Sequence, residues 1–89
     1  MFIHLGQETV VKQDEVVGIF DMDNTTVSKH TRKFLNFAEK RGEVVNITYE
    51  LPKSFVVCAK NKGKNKKIYI SQISSLTLLK RSGFLNINE

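Results

Sequence analysis

Glu15-Val16-Val17-Gly18-Ile19-Phe20, followed by the polar Asp21-Met22-Asp23-Asn24-Thr25-Thr26 and then by Val27–Arg41, is the stretch that decides the fold. The first six residues are nearly continuous in apolar side chains, which predicts a central strand. The polar letters that follow are turn formers. After them the period changes from two to 3.6, because Val27, Thr31 (through its methyl), Phe34, Leu35 and Ala38 recur at helical spacing. Thr26 or Ser28 caps the start of this helix, Lys40-Arg41 suits the negative end of its dipole, and Gly42 is a natural terminating residue.

Working outward, strands are expected on both sides. Phe2–Leu5 and Thr9–Lys12 are short extended runs separated by Gly6-Gln7, a tight hairpin because Gly tolerates positive φ. Downstream, Val44–Tyr49, Ser54–Lys60 and Lys66–Ser71 read as strands, the last two joined by Asn61-Lys62-Gly63-Lys64-Asn65. Ser74 or Ser75 caps a short helix, Leu76–Arg81, stopped at Gly83. The tail Phe84-Leu85-Asn86-Ile87 is apolar enough to dock. Strands, helix, strands and helix in that order predict an α+β fold with a small, largely antiparallel sheet, one amphipathic helix and a short C-terminal helix. At 89 residues, the chain 1–89 is a single domain too small for a deep enclosed cleft.

Charge is divided unevenly along the chain. Residues 1–28 hold one base against five acids, a net of −4, and residues 29–89 hold thirteen bases against four acids, a net of +9. This points to a nucleic-acid or acidic partner, and to self-association of unlike surfaces. On a helical wheel, Lys29, Lys33, Asn36 and Lys40 form one stripe with Arg32 beside it, opposite Phe34, Leu35 and Ala38, with Phe37 at the flank. The hairpin carries Lys60, Lys62, Lys64, Lys66 and Lys67 in eight positions. Five ammonium groups on one ribbon suit phosphate contacts, which confer affinity rather than sequence choice. Edge protection is the alternative use of such lysines, and five exceed what it needs. Lys53 and Lys80-Arg81 add further charge.

Catalytic chemistry is legible in one place only. Ile19-Phe20-Asp21-Met22-Asp23-Asn24-Thr25-Thr26-Val27 resembles the first signature of haloacid-dehalogenase-type phosphatases, with Asp21 and Asp23 at the nucleophile and acid–base positions. The downstream acids are only Glu39, Glu43, Glu50 and Glu89, none paired at a strand end, and no room remains for the parallel sheet of that family, so no enzyme is expected. His4 and His30 are too far apart in sequence to suggest a paired motif, and no cofactor, metal site or small-molecule substrate is implied. His4 reads as a core-edge or interface residue. The single cysteine, Cys58, reads as a small buried hydrophobe in a strand. No disulfide, signal peptide or membrane span is expected, which suits a cytoplasmic protein.

Four stretches carry a family resemblance: Phe2-Ile3-His4-Leu5-Gly6, Asp14–Asp21, Pro52-Lys53-Ser54-Phe55-Val56-Val57, and Ile70–Arg81. Together they resemble the extracellular matrix regulators of Gram-positive bacteria, the RemA/RemB family, and within it the RemB type. The resemblance runs in order through nearly the whole chain. It implies a cytoplasmic DNA-binding regulator of biofilm matrix genes, assembled as a homo-oligomeric ring. RemA-type proteins carry an arginine-rich loop directly after the Thr-Tyr that here is Thr48-Tyr49, whereas this chain reads Glu50-Leu51-Pro52-Lys53-Ser54. Either the lysine hairpin takes over the DNA contact or this branch works through a protein partner. The expected DNA contacts are therefore Lys29, Arg32, Lys33, Lys53, Lys60, Lys62, Lys64, Lys66 and Lys67. The competing expectation is an oligomeric interaction module without DNA binding.

Overall fold

A computed structural model describes residues 1–22, 29–61 and 63–83 of the chain. The expected helix caps Thr26 and Ser28, the core position Val27, Asp23, Lys62 and the tail Phe84, Leu85 and Ile87 lie outside the described residues. Strands β1 (Phe2–Gly6) and β2 (Thr9–Lys12) form an antiparallel ribbon. A 3₁₀ turn, Gln13–Glu15, leads into β3 (Val16–Asp21). Helix α1 (Lys29–Lys40) is followed by β4 (Val44–Asn46), β5 (Ser54–Lys60), β6 (Asn65–Ser71) and helix α2 (Ser75–Ser82). The fold is α+β as expected, with a second sheet of four strands in the order β3-β5-β6-β4. Its neighbours pair antiparallel except β4 with β6, which run parallel.

Alternation along β5 organises the core. Val56 and Cys58 face one way and pack with Ile3, Leu5 and Val11 of the ribbon and Leu78 of α2. Phe55 and Val57 face the other way and pack with Ile68, Ile70 and Ala38 of α1. The four-stranded sheet is thus the middle layer, with ribbon and α2 on one face and α1 on the other. A lone two-stranded ribbon is marginal in water, and here it is clasped to the main sheet by polar bonds as well as by packing. The buried Ser71 hydroxyl donates to the Leu5 carbonyl at 2.7 Å and accepts from the Ile73 N–H at 3.0 Å. Ser54 donates to the Ile73 carbonyl at 2.7 Å, and the Gln13 side-chain amide donates to the Ser82 carbonyl.

Three expectations need correction. β3 is an edge strand, not a central one, and has no fully buried residue; β5, buried without a break from Ser54 to Cys58, takes the centre. A register shift between Val16 and Gly18 puts Val16 and Ile19 against the ribbon-side core, while Val17 and Phe20 border the α1 side. The continuous apolar letters therefore describe a half-exposed strand with a bulge. The ribbon turn is Gln7-Glu8, one residue later than expected, with φ of 49° and 66°. Positive φ at both central residues matches the twist of a two-residue hairpin even though neither is Gly. β4 stops at Asn46 rather than Tyr49, because Thr48 leaves the ladder to bond elsewhere. At α2 the expected ends hold. The Ser74 hydroxyl accepts from the Thr77 N–H at 3.2 Å, and Gly83 closes the helix with φ 79°.

Candidate nucleic-acid interface

The cationic stripe of α1 follows from its position. Ala38 is buried and Leu35 half-buried against the sheet, so Lys29, Lys33, Asn36 and Lys40 point into water. Arg32 is exposed as well. Phe37 is exposed at the flank, with the Arg41 guanidinium 5.8 Å above its ring.

The start of α1 and the hairpin end of the sheet border one recess. His30 and Thr31 line the same recess as Gly63 and Lys66. Lys66 lines this recess, while Lys29 and Lys33 are on the outward stripe of the same helix turn. Lys53 does not line the recess. It precedes the opposite end of β5, about 23 Å from Lys60 at about 3.3 Å per residue.

The hairpin lysines point to both faces of the sheet. Ala59 pairs with Lys66, which puts Lys66 on the α1 side, while Cys58 pairs with Lys67 on the ribbon side. A second recess gathers Glu15, Glu43, Cys58 and Tyr69 with all four described hairpin lysines, Lys60, Lys64, Lys66 and Lys67. The division of charge in the sequence is therefore not a division in space. Glu15, from the acidic part, sits among lysines from the basic part. Lys29 and Lys33 lie outside that recess, and Lys66 also borders the recess at the start of α1.

Cys58 is an inert thiol here. It is buried, and burial, followed by the charge of Glu15, pushes its pKa up from 9.0 to about 11 against the opposing pull of Lys60. Thiolate is the reactive form, so the folded protein should resist thiol reagents at pH 8 and react only at the rate of unfolding. Equal reaction rates in buffer and in denaturant would contradict this. Because folding raises this pKa, the stability it contributes is complete below about pH 9 and is lost as pH rises towards 11.

Two features escaped the sequence reading. The first is an apolar groove of about 570 Å³ between α1 and β3-β5, walled by Val17, Phe20, Phe34, Phe55 and Val57. Phe20 stacks on Phe55 at 5.0 Å, and Phe34 tilts against it at 6.4 Å. The second is the loop after β4, where Tyr49 and Leu51 are exposed. A lone exposed aromatic gives no periodic signal, so only the fold reveals either feature. As for the phosphatase-like letters, Asp21 ends an edge strand that runs antiparallel to its partner β5. Among the described residues no three His, Cys, Asp or Glu side chains gather as a metal site would need. His4 is exposed on the ribbon, and its carbonyl accepts from Arg81 Nη1 at 3.0 Å. No helix of the described residues is long and apolar enough to cross a membrane.

The family described as RemA-like, extracellular matrix regulatory protein A-like, matches residues 2–81. The chain belongs to this family. It is also similar to extracellular matrix regulatory protein B of Bacillus subtilis (strain 168), with 39% identity over 85 residues covering 96% of this chain and 94% of that protein. This RemA-like chain is thus of the RemB type, as the four quoted stretches implied. Membership places it among regulators rather than in a known class of enzyme.

Proposed function

We propose that this chain regulates extracellular matrix genes by binding duplex DNA through its backbone phosphates, working in the cytoplasm as an assembly of several copies closed into a ring. The observation that carries the reading is the convergence of the α1 start and the hairpin at one end of the sheet. Lys29, Lys33, Lys64 and Lys66, all exposed, supply the principal contacts, joined by Arg32 and Lys62. Lys60 and Lys67 add to them, and Glu15 and Glu43, in the recess that all four described hairpin lysines border, reduce the net charge there. Lys53 stands apart and contacts DNA only where the duplex reaches the other end of β5.

Lysine on a mobile stem reads charge, not base edges, so this surface supplies affinity and positioning. No base-reading helix or bidentate arginine pair is invoked. A column of immobilised duplex DNA tests the reading. The native protein should be retained at low salt and elute as ionic strength rises, whatever the sequence bound to the resin. Passage without retention at low salt would leave the interaction-module reading in its place.

A further inference from the structure

Phosphate contact leaves the apolar groove and the Tyr49 loop without a role, and the two match each other. The loop is fixed at both ends. The Thr48 N–H donates to Asn46 Oδ1 at 3.2 Å, its buried hydroxyl donates to Gln72 Oε1 at 2.6 Å, and the same hydroxyl oxygen accepts from the Glu50 N–H at 3.0 Å. Further on, the Lys53 N–H donates to the Ser71 carbonyl at 2.9 Å, and the Lys53 carbonyl accepts from the Met22 N–H at 2.8 Å. Yet this ordered loop holds Tyr49 95% exposed and Leu51 78% exposed. A pre-ordered backbone lowers the conformational cost of binding, and Tyr is a favoured anchor.

The groove is the complementary shape. Its walls are three Phe rings with Val17, which is 68% exposed, and its edge carries His30 and Lys66. The loop brings an acid, Glu50, between its two apolar side chains, and the groove brings a cation. At 95% exposure Tyr49 is not seated in its own groove. One chain therefore carries both halves of a contact that it does not make with itself.

We propose that Tyr49 and Leu51 of one copy seat in the α1–β3 groove of a second copy, with Glu50 facing Lys66. This rests on the assembly part of the proposed function and assigns its contact surfaces. The contact is heterologous: each pair leaves one loop and one groove unused, so it repeats from copy to copy. Two anchors bury well under the roughly 800 Å² per partner of a stable interface. A single contact is then weak, and neighbouring contacts strengthen it through effective concentration.

Two variants, each at exposed positions, separate the halves. Tyr49→Ser with Leu51→Ser removes the loop anchors, and Val17→Glu puts a charge in the groove that also repels Glu50. Circular dichroism checks that both stay folded. In sedimentation velocity the native chain should form particles larger than dimers. Each variant alone should associate at least about thirtyfold more weakly and run near the 10.2 kDa monomer. Mixed in equal amounts, they should form a two-chain particle and nothing larger, because each supplies the half that the other lacks. Glu50→Lys should also weaken assembly, and adding Lys66→Glu should restore it. A native assembly whose variants assemble normally, or whose variants fail to complement, overturns this contact and leaves assembly by other surfaces. A native protein that stays monomeric overturns the contact and the assembly together.

Discussion

Replacing Lys29, Lys33 and Lys64 together with Gln should weaken binding to duplex DNA of every sequence and flatten its salt dependence. Each phosphate neutralised on duplex DNA contributes about 0.9 to the slope of log affinity against log salt, so three lost contacts lower it by about 2.7 per subunit engaged. The loss is uniform across sequences because phosphates carry no sequence information. All three positions are exposed, two on the outer face of α1 and one at the hairpin, so the fold should survive. Lys66 stays in place, which keeps the edge of the apolar groove intact and assembly comparable. In an assembly the same patch recurs, and the loss multiplies. Fluorescence anisotropy on two unrelated duplexes reads the result. An unchanged slope in a folded variant, or a loss confined to one sequence, would refute the assigned contacts.

Leu5→Ala should be the most damaging single truncation of the ribbon clasp. Leu5 is fully buried in the cluster that joins the ribbon, β5 and α2. Removing such a side chain costs about 2–5 kcal/mol, a large share of the roughly 5–15 kcal/mol that holds a domain folded. Ser71→Ala attacks the same clasp through its polar bonds and leaves the Leu5 carbonyl and the Ile73 N–H without that partner, at about 1–3 kcal/mol. The two share one contact region, so their effects should not add. Urea unfolding provides the comparison, with Phe2→Ala on the exposed face of the same strand as control. A midpoint shift for Leu5→Ala no larger than that of Phe2→Ala would contradict the packing described.

Much of this architecture is legible in the letters, and the exceptions have physical reasons. β5 is readable from end to end because Ser54–Cys58 is buried on both faces and the strand is bounded by turn residues. α2 is readable because Ser74 and Gly83 mark its ends chemically, and the two faces of α1 follow from the 100° step alone. β3 misleads because an apolar run does not say whether both faces are covered, and its bulge hides the alternation that would. The ribbon turn misleads because Gly6 is the obvious breaker, while the twist of the strands places positive φ on Gln7 and Glu8. Among the candidate contacts, folding sets the start of α1 and the hairpin around one recess but separates Lys53 and sets Glu15 among the lysines. Such pairings depend on register across a sheet, and no local pattern in the sequence encodes them.

The central claim is that the converged cations hold DNA phosphates. Equilibrium titration of the native protein on a labelled duplex, repeated from about 50 to 200 mM salt, tests it most directly. Log affinity should fall linearly with log salt at a slope of about 2.7 or steeper, the minimum that Lys29, Lys33 and Lys64 of one subunit supply. Absence of binding at the lowest salt, or an affinity indifferent to salt, would contradict it.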